Sequence, residues 1–375
     1  MEDKIITIAT HTYSRAQLLK GHLDSKGIDC FLSNINVIQS NISAGVKINV
    51  REKDIKKALE IINSVKYESG KSKEAIVGKL KEVRKILVPI DFSSNSEKAC
   101  QYALELAKKF KAEITLFHVF YDPAIISEPF GTTYTSQVKM DKYTKEIESN
   151  AKTKMEDISR KFKQQLYNEN IYNIRILHLI KGGIVDDTII DYSNTYKPGV
   201  IILGTKGQGE QTNDIIGSVA SKVLEKVKVP VLAIPGESVY KDIGDIKSIL
   251  YATNFDESDF QGIRKLMSLI RPFDLMIHCV HIASGPKDVW DKVKMNKLKK
   301  HFQQEYSEYN IICGIIESEN ILKSLQEYVK ENKIGIISLT THKRNLFRKL
   351  FQPSIAKKML FHTNIPLLVF HSKRA

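Results

Sequence analysis

The stretch of sequence that decides the fold is VIILGTKGQGEQTNDIIGS, residues 200–218. Its first four residues are apolar and predict a buried strand, and residues 219–227 behind it follow a helical pattern. The glycines between the predicted strand and helix are Gly204, Gly207 and Gly217. Glycine lets backbone N–H groups approach an anion, and a helix N-terminus adds unpaired donors and a favourable dipole. The stretch therefore predicts a phosphate-binding loop.

The spacing of this loop differs from the two commonest phosphate loops. GxxxxGK[ST] is absent from the chain, and Gly207-Gln-Gly209 is not followed by the third glycine of GxGxxG. A tight turn between strand and helix would also use glycine, because glycine tolerates positive φ. That alternative explains one glycine, but not three glycines followed by Ser218. We therefore expect the loop to hold a nucleotide.

Four blocks of sequence, in order along the chain, resemble the ATP-binding members of the universal stress protein family. They are KILVPIDF at 85–92, FHV at 117–119, the glycine loop at 204–218 and VPVLAI at 229–234. The resemblance implies an α/β fold with a doubly wound parallel sheet of the adenine nucleotide alpha hydrolase-like type. It also implies ATP, or AMP or ADP, as the ligand, with any Mg²⁺ carried by the phosphates.

The resemblance and the loop together imply a set of nucleotide-binding residues. Asp91 is expected to accept a ribose hydroxyl, Lys206 to neutralise a phosphate, and the apolar members to flank the adenine. The set is Pro89, Ile90, Asp91, Val119, Leu203, Gly204, Lys206, Gly207, Gly217, Ser218 and Val219. Other roles stay open: Asp91 as the cap of a helix that starts near Ser94, Lys206 as a solvated loop lysine, and the apolar residues as core.

The chain also contains an internal repeat. Residues 86–92, ILVPIDF, align with ILYATNF at 249–255, and residues 201–204 align with 337–340. Each copy reads as five strands alternating with helices, which predicts a parallel sheet with helices on both faces. Ligands of such sheets bind beyond the carboxyl ends of the strands, where the strand order reverses. A Ser94-x-x-Glu97 capping box is predicted to start the first helix of the first copy.

The second copy is expected to be a partner without a nucleotide. The alignment replaces Gly204, Gly207, Gly217 and Asp91 by Thr340, Lys343, Pro353 and Asn254, and keeps Ser218 as Ser354. Side chains at the glycine positions would fill the space that a phosphate needs. The family resemblance further implies that the two copies pair within one chain through their last strands, residues 229–234 and 365–370.

The first residues have a different pattern, β-α-β-β-α. Residues 45–62, GVKINVREKDIKKALEII, resemble a small family of signal-transducing proteins with a ferredoxin-like, PII-like outline, which implies an α+β domain. The lysine-rich stretch behind it reads as a linker. The expected organisation is a ferredoxin-like domain at 1–67, a linker at 68–83, a nucleotide-binding universal stress protein-like domain at 84–236, and a degenerate second domain at 245–375.

Composition limits the cell compartment and the partners. The net charge of +14 indicates either a nucleic-acid or anionic-lipid partner or lysines spread over solvated helices. We favour the solvated helices, because the chain has no arginine-rich block. Four cysteines without CxxC spacing, no apolar run of about 20 residues and no signal-peptide layout predict a cytoplasmic protein.

No catalytic or metal motif accompanies the loop. GxSxG and the kinase HRD and DFG motifs are absent. His278 and His281 are three apart on a predicted strand, so they face opposite sides and cannot share a metal ion. The expected function is a regulatory, stress-response or signal-transduction protein whose nucleotide occupancy changes its binding to a protein partner, with at most slow ATPase activity. The alternatives are an ATP hydrolase or phosphotransferase that uses the same crevice, and a nucleic-acid or anionic-lipid binding module.

Overall fold

The computed structural model describes residues 5–11, 13–33, 46–68, 83–122, 134–207, 216–255, 257–283, 289–318, 321–341 and 364–371. The chain divides into two compact units, Met1–Leu80 and Lys81–Ala375. The predicted linker, 68–83, lies almost wholly outside the described residues. Among the described helices, none combines the length and the apolar character that crossing a bilayer requires.

The first unit is a small antiparallel sheet with two helices. Its elements are β1 (Ile5–His11), α1 (Tyr13–Ser25), β2 (Cys30–Ser33), β3 (Val46–Arg51) and α2 (Ile55–Glu68). The described strands have the order β1-β3-β2, and both pairs are antiparallel. Helix α1 ends because Gly27 adopts a φ of 76°, which glycine reaches without strain. Leu23, Ile48 and Val50 form the centre of its core.

The second unit alternates strands with helices. Its first half contains β4 (Lys85–Pro89), α3 (Ser94–Phe110), β5 (Glu113–Phe120), α4 (Tyr134–Asn168), β6 (Ile176–Gly182), α5 (Val185–Tyr196), β7 (Val200–Gly204), α6 (Ser218–Lys226) and β8 (Val231–Ile234). Its second half contains β9 (Ser248–Ala252), α7 (Glu257–Ile270), β10 (Met276–Ala283), α8 (Val289–Glu305), β11 (Ile311–Glu317), α9 (Ile321–Glu331), β12 (Ile336–Thr341) and β13 (Leu367–His371).

The strands of the second unit form one ten-stranded sheet. Their order is β11-β10-β9-β12-β13-β8-β7-β4-β5-β6, so the strands of both halves follow the same order outward from the middle. Neighbouring strands are parallel except at the centre, where β8 and β13 pair antiparallel with Leu232 opposite Leu368. Both central strands begin directly after a proline, Pro230 or Pro366, whose carbonyl oxygen accepts a bond from β7 or β12.

The start of α3 differs from the predicted capping box. The cap is Ser93, one residue earlier than predicted, and its side chain accepts a hydrogen bond from the Ser96 N–H at 3.2 Å. Asp91 explains the difference, because its carboxylate accepts bonds from both the N–H and the hydroxyl of Ser93. Glu97 is not part of the cap and instead pairs with Lys161 of α4 at 3.2 Å.

Helix α3 also holds the segment that connects the two halves. Tyr102 is fully buried, and its hydroxyl donates to the Tyr240 carbonyl at 3.1 Å and lies 3.2 Å from the Ser238 hydroxyl. The Lys98 ammonium donates to the carbonyls of Gly236 and Ser238, both at 3.0 Å. These bonds fix the connecting segment against the first half.

This arrangement predicts the effect of removing one hydroxyl. Tyr102→Phe keeps the ring but leaves the half-buried Tyr240 carbonyl with one donor fewer, so the free energy of unfolding should fall by about 1–2 kcal/mol. Urea denaturation followed by circular dichroism measures the change. Tyr143→Phe is the matched control, because the Tyr143 side chain is 59% exposed. Equal stability of the two variants would contradict a structural role for the Tyr102 hydroxyl.

Candidate functional site

A cavity of about 110 Å³ opens at the carboxyl ends of β4, β5 and β7. In the sheet β4 lies between β5 and β7. The chain passes from β4 to β5 on one side and returns to β7 on the other side only after β6. Strand order therefore reverses at β4, and ligands of open α/β sheets bind at such a position. Residues of α5 and α6 close the cavity on one face of the sheet.

All residues predicted to bind a nucleotide line this cavity except Ser218, whose side chain is exposed. They come from strand ends, from the loop after β7 and from the first turn of α6. The structure adds residues that the sequence did not single out: Ser96, Phe117, Val185, Ile189, Thr205 and Ala220. The spacing of Val185 and Ile189 indicates one face of a helix, but not which cavity that face covers.

The cavity exists because β4 and β7 separate before they end. In the described part of these strands, they pair only at Ile86 with Val200 and at Leu87 with Ile201. Both strands continue beyond these pairs, and β4 stays paired with β5 over its whole length. Residues from both diverging strand ends, Pro89 and Leu203, line the cavity.

Pro89 accounts for this separation. The Ile90 N–H donates to the Phe117 carbonyl of β5 at 2.9 Å. Backbone groups of successive residues point to opposite neighbours in a parallel sheet, so those of Pro89 face β7. Proline has no N–H, so the ladder to β7 loses the donor that would continue it.

In the second half the corresponding strands stay together. Strands β9 and β12 pair in the same register, but their ladder runs on from Ile249 and Ile336 to Ala252 and Leu339. Ala252 aligns with Pro89 and retains its N–H. The two halves therefore share a frame, but in the described strands only the first half is open at this position.

A buried polar network joins β9, β12 and α7 in the second half. The Tyr251 hydroxyl lies 2.7 Å from Thr340 Oγ1 and donates to Asp259 Oδ1 at 3.2 Å. The other carboxylate oxygen of Asp259 accepts from the Thr253 hydroxyl at 2.8 Å and from the Asn254 N–H at 2.9 Å. Burial, and secondly the charge of Asp259, raises the pKa of Tyr251 well above its ordinary value. Tyr251 therefore stays a neutral donor.

The aligned positions of the first half carry smaller or apolar side chains. Val88 stands in place of the buried tyrosine, Gly204 in place of the threonine and Ser96 in place of the aspartate. Gly204 and Ser96 line the open cavity. The same frame therefore holds a polar network in one half and a cavity in the other.

Asp91 lies at the cavity wall in a fixed orientation. Its Oδ1 accepts from the Ser93 N–H at 3.1 Å and from the Ser93 hydroxyl at 2.5 Å. The alternative that Asp91 itself caps α3 is wrong, because Ser93 is the cap. A Cβ placed on Gly207 would lie 3.0 Å from Asp91 Oδ2, so the loop comes close to the carboxylate.

The N-terminus of α6 lies at the wall of the cavity. Gly217 is the cap residue, and its N–H donates to the Thr205 carbonyl at 2.6 Å. Val219 and Ala220, in the first turn, line the cavity. A helix leaves its first N–H groups without intrahelical partners and carries a positive partial charge at this end. The site therefore has one end that favours an anion.

The glycine loop is held against α3. Asn95 Nδ2 donates to the Lys206 carbonyl at 3.1 Å. A Cβ on Gly204 would lie 3.0 Å from the carbonyl carbon of Asn95, so only glycine permits this close approach without a shift. Lys206 brings a positive charge to the cavity lining. Residues 208–215 of the loop lie outside the described part of the chain.

His118 supports the turn that carries Asp91. Its Nδ1 lies 2.8 Å from the Ile90 carbonyl oxygen, and its ring centroid lies 4.4 Å from that of Phe92, which adopts a φ of 64°. Burial lowers the pKa of His118, so the ring is neutral and Nδ1 donates. His281 makes the same bond to Thr253 at 2.8 Å in the second half. The histidine thus belongs to the shared frame.

The predicted replacements Lys343, Pro353 and Ser354 lie outside the described residues, within 342–363. Among the residues that are described, no group of three or more metal-ligating side chains lies together. His278 Nδ1 lies 2.9 Å from the Tyr328 hydroxyl, whereas His281 Nδ1 bonds to the Thr253 carbonyl, so the two histidines have different partners.

Comparison with known proteins places the first half in a family. Residues 82–235 match the universal stress protein family. A universal stress protein of Methanocaldococcus jannaschii is 26% identical over 153 residues, 40% of this chain and 94% of that protein. The universal stress protein YxiE of Bacillus subtilis is 26% identical over 152 residues, 40% of this chain and 97% of YxiE.

The fold is also found in a solved structure. A universal stress protein from Archaeoglobus fulgidus DSM 4304 covers 77% of this chain and 97% of its own length, with 17% sequence identity and a TM-score of 0.55. At this identity the likeness concerns the fold alone. The sequence match and the sheet topology agree, and residues 82–235 are a universal stress protein family domain.

Proposed function

We propose that this chain is a regulatory protein that binds ATP, or AMP or ADP, in the cavity of its first half. Nucleotide occupancy would change which protein partner it binds in a stress response. One observation carries the proposal: an apolar cavity at the strand switch point opens onto a glycine loop and a helix N-terminus. The family of residues 82–235 supports the regulatory role.

The apolar walls suit the base of a nucleotide. Ile90, Phe117, Val119, Ile189 and Leu203 surround the inner cavity. Small-molecule sites are mostly apolar, with a few polar groups that set the orientation of the ligand. A purine ring has two apolar faces and a polar edge, so it would place its faces against these side chains.

The opposite end suits ribose and phosphates. The Ser93 bonds hold the Asp91 carboxylate beside the loop, where it would accept a ribose hydroxyl. The first turn of α6 and the Lys206 ammonium would stabilise phosphate charge. Mg²⁺ would be held mainly by the phosphates, as hard cations prefer oxygen ligands.

The second half would be a structural partner in an intrachain pseudo-dimer of tandem repeats. The common strand order, the antiparallel β8–β13 ladder and the closed β9–β12 ladder support this assignment. The strand order β1-β3-β2 supports a ferredoxin-like N-terminal unit, for which we propose a signal-transducing role. The domain limits would be 1–67, 84–236 and 245–375.

The first prediction about the nucleotide site concerns the loop. Gly207→Ala would place a methyl group 3.0 Å from Asp91 Oδ2, which displaces either the carboxylate or the loop. We expect ATP affinity, measured by isothermal titration calorimetry, to fall at least about tenfold, or about 1.4 kcal/mol.

Gly314→Ala is the control, because its added methyl meets no atom within 4 Å and Gly314 lies in β11, away from the cavity. Mass spectrometry of ligand released from freshly purified protein identifies the nucleotide. Equal ATP affinity of the two variants would remove the loop from the binding site.

The second prediction concerns stoichiometry. Because the β9–β12 ladder stays paired where β4 and β7 part, and Thr340 stands where the first half has Gly204, titration should give about one ATP per chain. Equilibrium dialysis with labelled ATP measures the ratio directly. A ratio near two would show that the second half also binds nucleotide.

The third prediction concerns turnover. The Asp91 carboxylate is engaged by Ser93, and the site offers no other lining carboxylate to activate water among the described residues. We expect ATP hydrolysis below about one turnover per minute, far under the 1–10³ s⁻¹ typical of enzymes. Release of labelled phosphate at saturating ATP measures the rate. Fast hydrolysis that disappears in Asp91→Ala would favour an enzyme instead.

A further inference from the structure

Two cysteines face each other near the edge of the ten-stranded sheet. Cys279 of β10 and Cys313 of β11 are direct partners in the parallel register. Adjacent strands lie about 4.8 Å apart, within the ~4.4–6.8 Å that separates the Cα atoms of a disulfide. Both side chains pack against the same hydrophobic cluster, so they lie on the same face of the sheet.

The two thiols differ in exposure and in hydrogen bonding. Cys279 is fully buried, whereas Cys313 is half-buried. The thiols are hydrogen-bonded to each other, and this bond, with the nearby Lys299 ammonium, lowers the pKa of Cys313. The same bond and burial raise the pKa of Cys279 well above its ordinary value. Of the two thiols, Cys313 is therefore the one that ionises more readily.

The remaining cysteines lack these features. Burial raises the pKa of Cys30 to about 11 and that of Cys100 further still. Since thiolates are the reactive form, Cys313 is the cysteine of this chain best suited to attack an oxidant.

The position of β11 permits the small movement that bond formation requires. In the described sheet β11 is an edge strand and pairs with β10 alone. A shift of Cys313 towards Cys279 therefore disturbs a single ladder, whereas a central strand is held on both sides. Cys313 itself is half-buried, unlike the fully buried Cys279.

We infer that Cys279 and Cys313 form an oxidation site that reacts with hydroperoxides and closes to an intrachain disulfide. Cys313 is the attacking sulfur because it is the less buried member, and Cys279 is the resolving sulfur because it lies directly opposite. This site is independent of the nucleotide cavity, which lies in the other half of the sheet.

The reaction balances in two steps. The Cys313 thiolate attacks one oxygen of the hydroperoxide, the O–O bond breaks, and the alkoxide or hydroxide that leaves takes up a proton. The product is a sulfenic acid on Cys313. The Cys279 sulfur then attacks the Cys313 sulfur, the S–O bond breaks, and hydroxide leaves with the Cys279 proton as water. Two thiols are oxidised to a disulfide while one peroxide is reduced.

The test uses the full chain and hydrogen peroxide. After treatment with one equivalent, intact-mass spectrometry should show the loss of two hydrogen atoms, and non-reducing peptide mapping should join the Cys279 and Cys313 peptides. Dithiothreitol should reverse both changes. An unchanged mass, or oxidation of Cys30 or Cys100 at the same rate, would overturn the inference.

Two variants separate the roles of the sulfurs. In Cys279→Ser the reaction should stop at a sulfenic acid on Cys313 that dimedone traps, and in Cys313→Ser the peroxide-dependent mass change should disappear. Circular dichroism shows whether each variant is folded. If a variant does not fold, the peptide map of the unmodified chain still decides, because it needs no substitution. Equal dimedone labelling of Cys313 in the wild type and in Cys279→Ser would show that Cys279 does not resolve the intermediate.

Discussion

The antiparallel ladder between β8 and β13 is the contact on which the rest of the second unit depends. Every described residue of both strands is buried, and either strand left at an edge would expose unpaired backbone groups beside apolar side chains. Pairing Leu232 with Leu368 lets each half cover the last strand of the other. The apolar clusters on the two faces of the sheet accordingly contain residues from both halves. The ten strands thus share their core.

Within this common frame, the two halves differ in the length of one ladder, which is β4–β7 in the first half and β9–β12 in the second. A proline at the end of β4 removes a donor, and the strands diverge into a cavity. Alanine at the aligned position restores the donor, and Tyr251 and Thr340 add a hydrogen bond across the strands. Buried polar side chains need hydrogen-bond partners, and Asp259 accepts the bonds of the Tyr251 and Thr253 hydroxyls. The continuous β9–β12 ladder is therefore accompanied by a satisfied network of buried hydrogen bonds.

Periodicity and turn residues predict most of the strands and helices, because alternating apolar patterns depend on near neighbours in sequence. They also indicate that Asp91 and Gly204 end strands, which puts them at one edge of a parallel sheet. The effect of Pro89 on the cavity could not be predicted from the sequence. A missing N–H has a consequence only where a neighbouring strand would accept that donor, and the sequence does not identify this strand. Val185 and Ile189 could not be assigned for the same reason. The capping position was displaced by one residue because Asp91 binds Ser93, a side-chain contact that spacing alone does not reveal.

Covalent connection of β8 and β13 has a consequence for how the protein behaves at low abundance. Two separate subunits paired through such strands would come apart on dilution, whereas a tether makes the encounter intramolecular, with an effective concentration in the millimolar range for short linkers. The segment between β8 and β9 is moreover fastened by Tyr102 and Lys98, which shortens its reach. Assembly of the sheet then does not depend on the concentration of the protein. A cell that makes few molecules of this protein obtains fewer sheets, each of them complete.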